Sequence, residues 1–321
     1  MGFRLKESES VSEGIQRIAH DLVDSAIDHL NLKTRNKDRA VHDARVSFKK
    51  MRALLRLVYG ELGRDIFKLE NREYRDAGRR LAATRDTAVV ALTLEELVHQ
   101  FDKQLADPDI KTLRKRLRRS RAVQQTDRKQ TLLQVAESLS AAKERVETWP
   151  INHDGFPALR DGLKRIYKRG RDGFMLIRAE RTTENLHEWR KQVNYLWYQV
   201  SILNPMWPKP MDMLARELNK LADYLSEDHD LAMLTRTAIE QAPSLSAPDE
   251  VEKLILFIDQ RRIQLQSKAV VLGARIYGEK PKSFVNRMES YWEAWRPAAA
   301  VETVEDSQME LAFEAASNSP V

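Results

Sequence analysis

Apolar residues recur at the spacing of an α-helix along most of the chain. The segment 41–58 is the clearest example, and one arc of its helix carries Val41, Phe48, Met51 and Leu55. A second arc lies beside it, at positions i, i+3, i+7, i+10 and i+14, and consists of His42, Arg45, Lys49, Arg52 and Arg56. A surface helix usually places its charges opposite its buried face. The two adjacent stripes therefore predict that the basic face points toward another helix or a groove.

The same pattern occurs a second time in the segment 186–203, where His187 follows His42 by 145 residues. Several short matches at offsets of 144 to 148 residues agree with this spacing. The matched positions are Gly14 and Gly162, His42 and His187, Arg45 and Arg190, and Asp86 and Asp230. Matches in the same order at nearly the same offset indicate that the chain is a duplicated unit. The second stripe is incomplete, because Asn194 and Trp197 stand in place of a lysine and an arginine. If these stripes bind a ligand, we therefore expect the first half of the chain to dominate the binding.

The periodicity predicts an all-α fold without β-strands. Predicted helices run from Ser10 or Ser12 to about residue 32, from 41 to about 63, from 66 to 83, from 211 to 225, from 251 to 277 and from 281 to 295. Two further helices follow Asp86 and Asp230, and another helix ends near residue 146. The two copies, 3–148 and 155–296, are expected to pack as helical bundles related by a pseudo-twofold axis, with a linker at 149–154. The tail 298–321 is expected to be flexible.

Composition excludes several classes of protein. Hydrophobic residues make up 42% and charged residues 32%, which is typical of a globular protein with charged helices. The chain has no cysteine, so it has no disulfide, thiolate metal site or cysteine nucleophile. Neither a signal peptide nor a membrane span is predicted, and we expect a cytoplasmic protein with no membrane partner. No metal ion or other cofactor is predicted.

The charge of the chain is unevenly distributed. The net charge is +6, and the tail from residue 298 onward has a charge of −5, so the rest of the chain carries +11. A basic body of this kind favours a polyanionic partner, which could be a nucleic acid, an acidic membrane or a condensed phosphate. The charge alone does not distinguish among these three.

Arginine predominates in the basic stripes, and the planar guanidinium can bind phosphate oxygens with two hydrogen bonds. Two further arginine stripes lie at residues 72, 75 and 79 and at residues 114, 118 and 121, with few acidic residues among them. The candidate anion-binding residues are Arg17, His42, Arg45, Lys49, Arg52, Arg56, Arg75, Arg79, Arg114, Arg118, Arg121, Arg165, His187, Arg190, Lys191, Arg261 and Lys268. A histidine beside phosphate would tend to become protonated, so binding is expected to tighten between about pH 8 and pH 6.

Other kinds of chemistry have weaker support in the sequence. The dipeptide His229-Asp230 also occurs in metal-dependent phosphohydrolases, but the further ligands that such a site needs are not evident. Neither a phosphate-binding P-loop nor a dinucleotide-binding glycine motif is present. The aromatic residues of the segment 186–203 are expected to lie in the core rather than to form a platform on which bases stack. A nucleic-acid-binding helical protein is therefore the main alternative to a protein that binds a condensed phosphate, and a metal-dependent phosphohydrolase is the second alternative.

The doubled signature resembles that of the CHAD (conserved-histidine α-helical) domain. The resemblance rests on H-x-x-R-x-x-x-K-x-x-R at 42–52 with a following Arg85-Asp86, on His187-x-x-Arg190-Lys191 with a following His229-Asp230, and on the opening segment 3–18. It covers about residues 3–296. The E-x-E-x-K motif of the CYTH domain that often accompanies CHAD is absent, so the chain resembles a stand-alone CHAD protein.

This resemblance implies two four-helix bundles that flank a basic central groove. It also implies that the protein binds inorganic polyphosphate and associates with polyphosphate granules. We hypothesise that the protein is not an enzyme, and proteins of the granule are further candidate partners.

Overall fold

A computed structural model describes residues 2–31, 37–82, 86–100, 112–113, 115, 128–241 and 248–296. Throughout these ranges the regular secondary structure is helical and contains no strand, so the predicted all-α fold is confirmed. The helices are α1 (Val11–Asn31), α2 (Lys37–Leu57), α3 (Tyr59–Ala82), α4 (Asp86–Gln100), α5 (Arg128–Val146), α6 (Pro157–Ala179), α7 (Thr183–Ile202), α8 (Pro208–Gln241), α9 (Pro248–Ile276) and α10 (Pro281–Trp295), with a 3₁₀ turn at Asn204–Met206.

Local signals in the sequence fix several helix ends. Ser10 and Glu13 form a capping box before α1, since the Ser10 hydroxyl accepts from the Glu13 amide at 3.2 Å and the Glu13 carboxylate accepts from the Ser10 amide at 2.8 Å. The Thr182 hydroxyl accepts from the amide of Asn185 at 3.1 Å and caps α7. Helices α6 and α10 each begin with a proline, which suits the first helical turn.

Two predicted helix boundaries differ from the structure. Helix α2 ends at Leu57 rather than near residue 63, and the bend at Gly63, whose φ is 69°, lies inside the next helical segment. The break predicted before Asp230 is absent, because α8 runs unbroken from Pro208 to Gln241. The polar sequence 226–230 stays helical because Asp228 is buried inside it, where its carboxylate accepts from Arg262 Nε of α9 at 3.0 Å.

The main hydrophobic core contains residues from both predicted halves of the chain. Helix α2 packs directly against α7, so the two histidine-led helices are neighbours. At their crossing, the buried side chain of Gln199 donates to the carbonyl oxygen of Ala53 at 3.3 Å. A smaller second core joins α4 and Leu113 to the C-terminal half of α8 and the N-terminal half of α9. The expected pseudo-twofold pair of bundles stays a prediction.

The N-terminal segment before α1 also joins the two halves. Leu5 is buried, and its amide donates to the carbonyl oxygen of Ile202 at the end of α7 at 3.1 Å. The Phe3 ring packs edge-on against Tyr198, with 6.0 Å between ring centroids. Arg17 of α1 holds the same segment, because its guanidinium donates to the Glu9 carboxylate at 2.5 Å and to two backbone carbonyl groups. In the described part of the chain, no helix is both long and apolar enough to span a membrane.

Candidate functional site

The contact between α2 and α7 brings the matched basic positions of the two copies close together. Arg190 of α7 is largely buried, and burial lowers the pKa of its guanidinium. The nearby positive charge of Arg45 on α2 lowers it further, whereas the carboxylates of Asp230 and Asp228 oppose the shift. Arg45 and Arg190, which were predicted as counterparts, lie close enough for their charges to interact.

Four arginines from α2 and α6 form what we call the arginine cluster: Arg52, Arg56, Arg165 and Arg169. Within the described residues, none of these four makes an ion pair with a carboxylate. Burial lowers the pKa of Arg56 to about 10; Tyr195 opposes this shift, and the charges of Arg52, Arg169 and Arg165 each add a smaller effect in the same direction as burial. Arg56 is therefore charged at neutral pH in a site whose charges repel one another.

Aromatic rings and one amide support the arginine cluster. The guanidinium carbon of Arg56 lies 4.1 Å from the ring centroid of Tyr195, and that of Arg165 lies 4.1 Å from the centroid of Tyr59. The Asn71 Oδ1 of α3 accepts from Arg52 Nε at 3.1 Å and from Arg56 Nη1 at 2.9 Å. Cation–π contacts and amide hydrogen bonds orient a guanidinium without cancelling its charge. The cluster thus keeps positive charge available to an anion.

A second group, the histidine pair, consists of His187 of α7 and His229 of α8. Their ring centroids are 4.6 Å apart and the rings are inclined by 32°. Nη2 of Arg190 lies 3.4 Å from Nδ1 of His187. The Nδ1 of His229 is buried and has no hydrogen-bond partner among the described residues. Once the imidazoles are protonated, an acceptor such as a phosphate oxygen would suit this group, because Arg190 and protonated imidazoles are all donors.

Both histidines of the pair favour the neutral form. Burial, followed by the charges of Arg190 and Lys191, lowers the pKa of His187. Burial, Arg190 and His187 are the main causes that lower the pKa of His229 to about 3. We predicted a gain of positive charge between pH 8 and pH 6 from the ordinary histidine pKa. In the free protein these two histidines gain that charge at lower pH, because their surroundings are apolar and cationic.

The histidine pair predicts how stability depends on pH. The pKa of His229 is about 3 in the folded state and near its ordinary value of 6.5 in the unfolded chain. Between these values the unfolded state binds more protons, so the free energy of unfolding should decrease as the pH falls below 6.5, by at most about 1.4 kcal/mol per pH unit for one proton. Urea titrations at pH 7.5, 6 and 5 measure this slope.

His229→Gln should make that slope shallower, because the glutamine takes up no proton. His99→Gln, at an exposed position of α4, is the matched control and should keep the slope of the wild type. Equal slopes for all three proteins would show that His229 does not take part in this pH dependence.

Several predicted residues have acidic partners in the structure. Arg261 Nε lies 2.6 Å from Glu227, Lys191 pairs with Glu188, and Arg17 pairs with Glu9. Arg75 Nε lies 2.8 Å from the Asp76 carboxylate, and Arg79 lies 3.8 Å from it. These carboxylates reduce the charge that is left for a ligand. The Arg17 contacts hold the N-terminal segment, so we leave Arg17 out of the proposed site.

The other predicted residues lie as follows. His42 of α2 is half-buried, and Lys49 of α2 and Lys268 of α9 are exposed. The Lys268 Nζ is 5.9 Å from the ring centroid of Tyr224. Arg114, Arg118 and Arg121 lie outside the described residues. No group of three or more histidine, aspartate or glutamate side chains suited to a metal ion occurs among the residues that the structure describes.

Four residues of these groups were not predicted as part of a site: Tyr59, Asn71, Arg169 and Tyr195. His229 was considered only for a metal-dependent phosphohydrolase. Arg169 follows Arg165 by one helical turn, so an extension of that stripe could have found it. Tyr195 was expected in the core, and it is indeed buried, but its face also supports Arg56. Asn71 carries no charge, and no signal in the sequence marks it as a partner of α2.

The fold and the site together define an all-helical protein with a cluster of arginines that lack acidic partners among the residues that the structure describes. The family model of the CHAD domain matches residues 17–238, and the chain belongs to this family. The crystal structure of the CHAD domain from the plant Ricinus communis is similar, with a TM-score of 0.61 and 14% sequence identity. The similarity covers 92% of this chain and 95% of that one, which shows a shared fold. No curated protein matches the chain.

Proposed function

We propose that this protein binds inorganic polyphosphate and does not alter it chemically. The observation that carries the proposal is the arginine cluster, in which positive charge is held by aromatic rings and an amide rather than by carboxylates. A dense chain of phosphates would relieve the repulsion among these guanidiniums and accept hydrogen bonds from the N–H groups at their edges. Membership of the CHAD family supports the same ligand.

The histidine pair extends this site toward α8. Arg190 and His187 would contact further phosphates, with Arg45 of α2 close by. Phosphate binding would raise the pKa of both imidazoles, because a nearby anion stabilises their protonated form. Lowering the pH therefore favours binding, although the effect begins at a lower pH than ordinary histidines would give.

A titration with polyphosphate of defined length tests the proposal. Binding to a flexible polyanion releases counterions, and log affinity should fall with log salt by about 0.7 for each neutralised phosphate. Neutralisation by the four members of the arginine cluster predicts a slope of about −3. A slope near zero, or an affinity too weak to measure at low salt, would refute the proposal.

A nucleic acid is the main alternative partner, and competition distinguishes it from polyphosphate. The rings that face the cluster already hold guanidiniums, so they offer no open platform for stacked bases. We expect single-stranded or double-stranded DNA, added at the same phosphate concentration, to displace polyphosphate poorly. Efficient displacement by either DNA would favour the nucleic-acid function.

The absence of catalysis is part of the proposal and has its own test. His187 and His229 are adjacent, but their neighbours Arg190, Arg236 and Arg262 are positive and disfavour a metal cation. We expect no phosphate release when long-chain polyphosphate is incubated with the protein and Mg²⁺ or Mn²⁺. Binding of this kind would suit a protein that is located at polyphosphate granules and meets their proteins there.

A further inference from the structure

Asn71 of α3 makes an unusual contact with the arginine cluster. Its single side-chain oxygen accepts hydrogen bonds from two guanidiniums, at 3.1 Å from Arg52 Nε and 2.9 Å from Arg56 Nη1. The same Nη1 of Arg56 donates to the carbonyl oxygen of Arg52 at 2.6 Å. The ring of Tyr195 lies against Arg56 at 4.1 Å and nearer to it than to Arg52, at 5.8 Å. Asn71 thus holds two like charges side by side.

Other arginines of the described chain are held differently. Arg145 donates to the buried carboxylate of Glu70 at 2.7 Å, and Arg262 donates to the buried carboxylate of Asp228 at 3.0 Å. A carboxylate orients a guanidinium and cancels its charge at the same time. An asparagine oxygen accepts the same hydrogen bonds but adds no charge. At the arginine cluster, the chain thus uses a neutral acceptor where a carboxylate would give the stronger internal contact.

We propose that Asn71 is a positioning residue that sets the affinity of the arginine cluster for phosphate. It orders the Arg52 and Arg56 side chains before the ligand arrives, which lowers the entropy that binding must remove. It also leaves both charges intact and most of their N–H donors free for phosphate oxygens. This inference rests on the proposed function, because the ligand is the same polyphosphate chain.

The variant Asn71→Asp separates positioning from a merely structural role. The change replaces the side-chain NH₂ group by an oxygen of nearly the same size and adds one negative charge between two guanidiniums. We expect the thermal midpoint to remain at or above that of the wild type, because two cations gain a counter-ion. Polyphosphate affinity at low salt should fall by about tenfold or more, since the carboxylate competes with phosphate for both arginines. The salt slope should become shallower by about 0.7.

A second variant and a control complete the experiment. Asn71→Ala removes the hydrogen bonds without adding charge, so the affinity should fall by about threefold to tenfold while the salt slope stays the same. Gln134→Glu adds the same charge on an exposed face of α5 and should change the affinity less than twofold. If Asn71→Asp does not fold, the affinity and slope of Asn71→Ala decide the question.

The outcomes separate this inference from the proposed function. If the wild type binds polyphosphate and both Asn71 variants bind as tightly as Gln134→Glu, Asn71 has no positioning role, but the proposed function stands. A structural role alone would lower the thermal midpoint of Asn71→Asp together with its affinity, which also overturns the inference. If the wild type does not bind polyphosphate, both proposals are overturned.

Discussion

Arg52→Glu is expected to lower the affinity for polyphosphate by about a hundredfold at low salt. The substitution removes a charge-assisted phosphate contact worth about 1.5–3 kcal/mol and places a carboxylate beside the remaining guanidiniums. Arg56, which is half-buried and shares the Asn71 oxygen with Arg52, would then face an acid rather than a phosphate. The salt slope should become shallower by about 1.4, because two fewer phosphates are neutralised. A titration with polyphosphate at several salt concentrations gives both quantities.

Lys282→Glu is the control for this variant. Lys282 is exposed on α10, a helix outside the arginine cluster, and its replacement changes the net charge by the same amount. We expect less than a threefold loss of affinity from it. If the two variants lose affinity equally, binding depends on total charge alone and the arginine cluster is not the site. Thermal melts of both variants show whether any loss comes from unfolding.

The repeated pattern of residues predicted the elements that carry the site, because periodicity reports which face of a helix is buried. Helices α2 and α7 could be recognised from the sequence, and the duplication predicted that Arg45 and Arg190 are counterparts. Their proximity follows from the direct packing of these two helices. A contact of this kind is predictable because the two stripes occur separately in the sequence and each supports the interpretation of the other as part of a duplicated unit.

The sequence alone does not predict which arginines have a carboxylate partner that offsets their charge. Arg261 of α9 meets Glu227 of α8, and Arg145 of α5 meets Glu70 of α3. In each pair the partner comes from another helix, at a sequence distance that periodicity does not report. In the sequence, Arg52 and Arg261 therefore look equally available to an anionic ligand. In the structure, Arg52 contacts the amide of Asn71, whereas Arg261 contacts the carboxylate of Glu227.

The chemical state of the histidines also required the structure. The sequence supplies only the ordinary pKa of a histidine, near 6.5. The lowered pKa of His229 arises from burial and from charges on α7, α8 and α9 together. The continuity of α8 through residues 226–230 likewise depends on Arg262, which α9 supplies to the buried Asp228. Long-range contacts thus decide both features.

Gly162→Ala is expected to cause a large loss of stability. Gly162 of α6 faces the end of α2, and an added Cβ would lie well inside van der Waals contact of the carbonyl oxygens of Arg56 and Leu57. Both obstacles are backbone atoms, which no rotamer change can remove, so the helices would have to separate. We expect the free energy of unfolding to fall by about 3 kcal/mol, at the upper end of the cost of overpacking. Urea unfolding should show a lower midpoint with an unchanged slope.

Two other glycines provide matched controls for this substitution. Gly14, the counterpart of Gly162 in the first copy, would bring a Cβ to 2.6 Å from the Leu5 side chain and 2.7 Å from the Glu9 carboxylate. These are ends of flexible side chains, so Gly14→Ala should cost less than Gly162→Ala. At Gly78 in α3 the nearest atom, in Phe48, is 3.8 Å away, and alanine should stabilise the helix by up to about 1 kcal/mol. If Gly162→Ala is as stable as Gly78→Ala, α6 does not pack against the end of α2 as described.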